Sequence, residues 1–166
     1  MIVKTPEELE ILREGGRKLA AILDKIKGAI KAGARTKDLD ALAEKLIRDA
    51  GGEPSFKEYR TFDSRFPYPA SLCISINDEV VHGIPSQRVF ESGDIVGLDI
   101  GMKYRGLFTD MAETVAVGKI DENGEKLIRV TKKALELVVS KIKPETRVGD
   151  LGAAVQKFVE AEGFGI

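Results

Sequence analysis

Two aspartates, Asp99 and Asp110, lie inside apolar segments whose composition is typical of β-strands. A carboxylate in such a segment costs free energy when buried unless a charge or hydrogen bonds compensate for it. Residues 94–101 and 107–117 are predicted to form an antiparallel hairpin. If the hairpin closes on Tyr104-Arg105, Asp99 lies directly opposite Asp110, with their Cβ atoms about 4.5–5.5 Å apart.

Two carboxylates at that separation repel each other, so the pattern predicts a cation or a shared proton between them. Carboxylate oxygens bind hard divalent cations, and hydrolytic sites hold paired metal ions about 3.5–4 Å apart. An aspartate in a strand near a turn is also common as a solvated edge residue. The residue pattern therefore leaves a metal site and a solvated edge as alternatives.

His82 is the only histidine of the chain and lies in the segment "VVHGIP", after a short predicted strand at Val80-Val81. Loops that follow strands often carry reactive groups on a rigid base. His82 is therefore a candidate to donate a hydrogen bond to a substrate carbonyl or to stabilise an oxyanion, although a lone histidine is more often a surface residue. Cys73, within an apolar strand, is expected to be a small core residue.

The elements that position these residues follow from periodicity and caps. Thr5-Pro6 and Glu8 predict a capping box at the start of a first helix, Gly33 is predicted to end it, and Thr36 is predicted to cap a second. Residues 51–66 are predicted to form a loop. Further strands and helices are predicted at 72–76, 94–101, 107–117, 122–142 and 148–162. Helices flanking a run of strands indicate an α+β fold, an antiparallel sheet covered by helices on one side.

The composition limits the classes of function. The chain has 166 residues, with 26 Lys and Arg against 27 Asp and Glu, a net charge of −1. We therefore expect a single domain over residues 1–166, with no nucleic-acid or membrane partner. A single cysteine excludes an internal disulfide and fits a reducing compartment, so a cytoplasmic location is expected.

Two segments together, "YPASLCISINDEVVHGIP" (68–85) and "SGDIVGLDIGMKYRGLFTDMAETVAVG" (92–118), resemble the type I methionyl aminopeptidases. The resemblance implies a pita-bread fold and a site for two divalent metal ions such as Co, Mn or Fe. It also implies peptide substrates with an N-terminal methionine, which the enzyme removes from new polypeptides. By position, Asp99 would be a metal ligand and Asp110 a ligand bridging both metals.

The resemblance also implies roles for three other residues. His82 would contact the peptide near the scissile bond and help to stabilise the transition state. Tyr68 and Cys73 would line the pocket that accepts the methionine side chain.

The sequence departs from the family pattern in one respect. The family's metal site has five protein ligands, and its histidine and two glutamates are expected beyond Glu162, where no acidic residue or histidine follows. We therefore expect an N-terminal half with weak or no metal binding and little activity alone, and a homodimer is one way to cover its exposed surface. A proline-specific peptidase of the same fold and a non-catalytic binding module remain alternatives.

Overall fold

The computed structural model describes residues 2–62 and 65–166, which form two compact units, one ending at Lys119 and one covering residues 120–166. The elements of the first unit are the helices α1 (Pro6–Ala29) and α2 (Thr36–Asp49) and the strands β1 (Glu53–Pro54), β2 (Leu72–Ile76), β3 (Ile95–Tyr104) and β4 (Leu107–Ala116). The second unit contains α3 (Glu122–Lys141) and α4 (Val148–Ala161).

Helix α1 begins with the predicted capping box. The backbone N–H of Glu8 donates to the Thr5 hydroxyl at 3.1 Å, and the Glu8 carboxylate accepts from the Thr5 N–H at 3.3 Å. Pro6 occupies the first helical position, where its missing N–H costs nothing. The helix start read from the sequence is therefore confirmed.

The predicted boundary between α1 and α2 was wrong. Helix α1 ends at Ala29, before Gly33, and Arg35 rather than Thr36 is the N-cap of α2. The Thr36 hydroxyl instead donates to the carbonyl of Ser86 at 3.0 Å and accepts from its N–H at 2.8 Å. The first N–H groups of α2 donate to carbonyls of the 86–88 loop, so this loop replaces a side-chain cap.

The sheet is antiparallel and is organised around β3. Strand β4 pairs with one edge of β3 over its whole length, and β1 and β2 pair with the other edge one after the other. The predicted strand at Val80-Val81 is absent; both residues are exposed in a loop. The outer edge of β2 is occupied instead by the backbone of Gly83, whose carbonyl accepts from the Ile74 N–H at 2.9 Å.

One face of the sheet packs on α1 and α2. The even-numbered residues of β3 from Val96 to Met102 are fully buried and form a single core with apolar side chains of both helices. The helix residues of this core are Leu19, Ile22, Leu23, Ile26, Leu39, Ala43 and Ile47. Because side chains alternate along a strand, the odd-numbered residues of β3 point to the opposite face. The predicted α+β architecture, with helices on one face of an antiparallel sheet, is confirmed in this unit.

The register of the β3–β4 hairpin differs from the predicted one by two residues. Asp110 pairs with Gly101 and Asp99 pairs with Ala112, so the two aspartates are not directly opposed. The hairpin closes on Arg105-Gly106, with φ values of 47° and 85°. A two-residue hairpin turn of type I′ needs a positive φ at both central residues, which favours a glycine within the turn rather than beside it.

The second unit is a helical hairpin. The carboxylate of Asp121 caps α3 by accepting from the Gly124 N–H at 2.6 Å, and Lys126 Nζ donates to the carbonyl of Glu162 at 2.6 Å. Both helices end within one residue of their predicted limits. None of the described helices combines the length and apolar character that a membrane span requires.

The predicted loop at 51–66 contains the two-residue strand β1 and is otherwise irregular over the residues that the structure describes. Residues 63 and 64 of this loop lie outside the described residues.

Candidate metal centre and substrate pocket

Asp99 and Asp110 point to the same face of the sheet, away from α1 and α2. Asp110 is paired with Gly101, and Gly101 lies two residues from Asp99 on β3. A shift of the pairing by two residues leaves every side chain on its original face. The aspartates are therefore diagonal neighbours, and the prediction that they face the same way is confirmed while their direct opposition is corrected.

Gly101 leaves room for the Asp110 carboxylate and for the loop after β1. A Cβ atom at this position would lie 3.1 Å from Asp110 Oδ2 and 2.7 Å from Cε1 of Phe56, and it would collide with the Ser55 hydroxyl. The Ser55 N–H also donates to the Gly101 carbonyl at 3.1 Å, which holds the loop after β1 over the strand. Sequence reasoning missed Ser55 and Phe56. The available signal was a glycine within a strand, which often marks a close approach of another segment.

The electrostatics of the pair are unfavourable without a cation. Oδ1 of Asp99 is buried and has no hydrogen-bond partner among the described residues. Burial raises the pKa of Asp99, and the nearby Asp110 carboxylate raises it further, while His82 lowers it. Burial also raises the pKa of Asp110. Both ionised carboxylates are therefore destabilised relative to water.

These features fit a divalent metal ion. An ionised carboxylate oxygen only accepts, so a buried one without a donor is stabilised by a cation. Oxygen ligands suit Mn, Fe, Co and Mg alike. Among residues 2–62 and 65–166, no group of three or more His, Cys, Asp and Glu side chains is placed to hold a metal. Asp99 and Asp110 thus place two acidic side chains, whose oxygen atoms have the chemistry that divalent cations prefer, on one face of the sheet.

His82 lies close enough to Asp99 to affect its pKa. Its backbone is left-handed, with φ of 59°, and its side chain is exposed. The next residue, Gly83, is fixed on the edge of β2, where its N–H donates to the Ser75 hydroxyl at 3.2 Å. A Cβ on Gly83 would collide with the carbonyl oxygen of Ile74, so this close approach requires glycine.

Tyr68 and Cys73 lie beside each other and near the aspartates. Cys73 pairs with Asp99 across β2 and β3, so both side chains are on the same face, and Cys73 is buried as predicted. Burial is the main cause that raises the pKa of the Cys73 thiol and of the Tyr68 hydroxyl. The Tyr68 hydroxyl donates to the Gly83 carbonyl at 3.1 Å, which ties it to the His82 loop. The structure thus brings all five predicted site residues into one region of the first unit.

The sequence profile of metallopeptidase family M24 matches residues 10–166, which is most of the chain. The chain belongs to this family.

Its relatives include methionine aminopeptidases. Methionine aminopeptidase 1 of Bacillus subtilis is 42% identical over 166 residues, a match that covers 100% of this chain and 64% of the relative. The methionine aminopeptidase of Escherichia coli is 37% identical and covers 99% of this chain and 61% of its own length. The chain thus spans somewhat less than two thirds of these relatives.

Solved structures agree on the fold. The methionine aminopeptidase of Thermotoga maritima superposes with a TM-score of 0.92 at 37% identity, covering 99% of this chain and 64% of that one. The prolidase of Pyrococcus furiosus superposes with a TM-score of 0.85 at 23% identity, a likeness that concerns the fold alone. The expected fold, half of a pita-bread architecture, is therefore confirmed.

Proposed function

We propose that the protein acts in the metal-dependent removal of N-terminal methionine from nascent polypeptides, with Asp99 and Asp110 as metal ligands. One observation carries this proposal: the buried Asp99 Oδ1, without a hydrogen-bond partner among the described residues, lies on the same sheet face as the Asp110 carboxylate. The methionine aminopeptidases that match the chain over its full length support the choice of substrate.

The metal site would take two divalent ions such as Co, Mn or Fe, and the carboxylates of Asp99 and Asp110 would be the residues of this chain that hold them. When bound, such ions supply Lewis-acid polarisation of the peptide carbonyl and a nucleophile at neutral pH. The two carboxylates would hold the ions and balance part of their positive charge. Their destabilised ionised forms make them good cation ligands, because binding removes the mutual repulsion.

His82 would orient the peptide near the scissile bond. Its exposed side chain is reachable by substrate, and its backbone is anchored through Gly83 to the edge of β2. An imidazole N–H beside the scissile bond would stabilise negative charge on the carbonyl oxygen. His82 is therefore proposed as the catalytic hydrogen-bond donor of this chain.

Tyr68 and Cys73 would form a wall of the pocket for the methionine side chain. The Tyr68 hydroxyl is already engaged by the carbonyl of Gly83, so the residue offers its ring to a ligand. Burial keeps the Cys73 thiol in its neutral form by raising its pKa. An aromatic ring and a neutral thiol are favourable neighbours for a thioether.

Two carboxylates hold a metal weakly, because affinity rises with the number of charged ligands and with the rigidity of the site. We therefore propose that the 166-residue chain alone binds divalent ions weakly and turns over peptides slowly or not at all. Added Co²⁺ or Mn²⁺ giving rapid turnover of Met-Ala-Ser, abolished by Asp110→Ala, would contradict this.

A homodimer would supply further ligands. Within the described residues β4 pairs with β3 alone, and Phe108 on the metal-site face of β4 is 56% exposed. A second copy that covered this face around a twofold axis would bring four carboxylates together. Sedimentation at micromolar concentration tests the dimer; a monomer alone would contradict it without affecting the ligand assignment.

The test of substrate class is binding of the product amino acid. We expect calorimetry in the presence of Mn²⁺ to detect L-methionine in preference to L-alanine and L-proline. Preference for L-proline, with cleavage of Ala-Pro peptides over Met-Ala-Ser, would favour a proline-specific peptidase. Metal binding without any amino-acid preference would favour a non-catalytic module.

A further inference from the structure

Helix α2 carries one carboxylate that is directed at the start of β2. Oδ1 of Asp40 accepts hydrogen bonds from the backbone N–H of Ser71 at 2.8 Å and of Leu72 at 3.0 Å. Both residues are fully buried. Asp40 thus provides the acceptor for two consecutive backbone donors that water does not reach.

The segment held by Asp40 is the one that carries the pocket wall. Tyr68 precedes the two N–H donors and Cys73 follows them directly. The Tyr68 hydroxyl in turn donates to Gly83, which follows His82. A displacement of Ser71 and Leu72 would therefore move the wall residues, and it would reach the His82 loop through Tyr68.

Placing the ionised Asp40 carboxylate in this partly buried position costs free energy. Burial raises its pKa, an effect that the two backbone hydrogen bonds and Lys57 partly offset. Asp40 is the fifth residue of α2, and aspartate inside a helix is also a poorer helix former than alanine or leucine. The stability of α2 alone therefore does not explain an aspartate at position 40. The two hydrogen bonds that fix the Ser71–Leu72 backbone do explain it.

We infer that Asp40 is a positioning residue that fixes the Tyr68–Cys73 segment through the backbone N–H groups of Ser71 and Leu72. The part of this inference that concerns methionine rests on the proposed function. The geometric part stands on the contacts alone.

Cys73 provides a site-specific probe because it is the only cysteine of the chain. We expect Asp40→Ala to raise the rate of Cys73 alkylation by iodoacetamide about tenfold, since it removes the acceptor of two buried donors. Asp40→Asn should keep the wild-type rate within about twofold, because a single amide oxygen can accept both bonds as Oδ1 does now. Both substitutions remove the charge, so their difference reports the hydrogen bonds.

Asp40→Glu is a second variant that is useful if the alanine substitution prevents folding. It keeps the charge and moves the acceptor by one methylene group. The proposal predicts faster alkylation than in the wild type. A role of Asp40 through charge alone predicts the wild-type rate.

Asp94→Ala controls for general loss of stability. Asp94 is 9% exposed, and its carboxylate accepts from the Glu91 N–H at 2.8 Å and from Asn77 Nδ2 at 2.9 Å, at the far end of β3 from the Asp40 contacts. Its removal should lower the midpoint of urea unfolding without changing the alkylation rate. Equal acceleration in Asp94→Ala and Asp40→Ala would overturn the inference, as would an unchanged rate in Asp40→Ala and Asp40→Glu.

Protection by L-methionine separates the inference from the proposed function. We expect L-methionine, but not L-alanine, to slow Cys73 alkylation in the wild type and in Asp40→Asn, and to lose this effect in Asp40→Ala. If methionine protects none of the proteins while Asp40→Ala still differs from Asp40→Asn, the positioning role stands and the methionine pocket is wrong.

Discussion

Asp110 is paired with Gly101, and the missing side chain of that glycine gives the Asp110 carboxylate room beside Asp99. Oδ2 of Asp110 lies 3.1 Å from the position that a Cβ of residue 101 would occupy. Ser55 and Phe56 fill the remaining space above the strand. The acidic pair therefore depends on a residue that has no functional group of its own.

Gly101→Ala should test this dependence. The added methyl group would collide with the Ser55 hydroxyl and approach Phe56 and Asp110, so we expect a loss of about 1–3 kcal/mol in the free energy of unfolding. Gly97→Ala is the matched control, because it lies on the same strand and face with its nearest contacts at 3.7 and 3.9 Å. Urea unfolding measures both, and equal effects of the two substitutions would argue against the close packing over Gly101.

The acidic pair should make the metal-free protein less stable at neutral pH. The pKa of Asp99 and that of Asp110 are raised, so the folded state binds more protons than the unfolded state above the ordinary value of 3.8. Stability then falls as the pH rises through the raised pKa values. We expect Asp99→Asn and Asp110→Asn to be more stable than the wild type at pH 7 in EDTA, with the gain vanishing as the pH falls towards 3.8.

Chemical denaturation across this pH range measures the effect. Asp78→Asn, in an exposed turn, serves as the control and should leave the stability at pH 7 in EDTA close to that of the wild type. A loss of stability at pH 7 in both Asp99→Asn and Asp110→Asn would contradict the electrostatic account.

The turn of the β3–β4 hairpin offers a test of its register. Arg105 has a φ of 47°, a left-handed conformation that costs most residues about 1–2 kcal/mol and that asparagine adopts readily. Arg105→Asn should therefore stabilise the protein by about 0.5–1 kcal/mol through the Asn-Gly turn. Arg105→Ala also removes the surface ion pair with Glu7, at 3.6 Å, but keeps the strained conformation. Thermal or urea unfolding that showed no advantage of asparagine over alanine would speak against this turn.

The close approach of Gly83 to β2 should be equally sensitive. Gly83→Ala would push its Cβ into the carbonyl of Ile74 and break the bonds that fix the His82 loop, so we expect a loss of about 1–3 kcal/mol. Gly28→Ala, in α1 where nothing lies within 4 Å, should instead be neutral or stabilising by up to about 1 kcal/mol. Hydrogen exchange at the Ile74 amide reports the loss of its bond to Gly83; unchanged protection would contradict the anchoring role.

The hairpin shows what the sequence could and could not predict. Side chains alternate between the two faces of a sheet, so the sequence could predict that Asp99 and Asp110 share a face. A shift of the strand pairing by two residues leaves that face unchanged. The pairing itself depends on the turn, where Arg105 adopts an unusual conformation that its residue type does not indicate.

Contacts between segments that are distant in sequence could not be predicted from the sequence pattern either. Ser55 and Asp40 act through segments distant from them in sequence, at Gly101 and at Ser71–Leu72. The Thr36 hydroxyl bonds the loop at Ser86, which displaced the predicted helix cap. No local pattern predicts such partners, because each depends on how distant segments meet in the folded chain.

The most direct test of the metal site is calorimetric titration with Mn²⁺, combined with a mass measurement that gives ions per chain. We expect weak binding of Mn²⁺, with a dissociation constant on the order of 10⁻⁴–10⁻³ M. The binding should be lost in Asp99→Asn and in Asp110→Asn and retained in Asp78→Asn. Binding that survives unchanged in the Asp99→Asn, Asp110→Asn double variant would contradict the assignment of these two carboxylates as metal ligands.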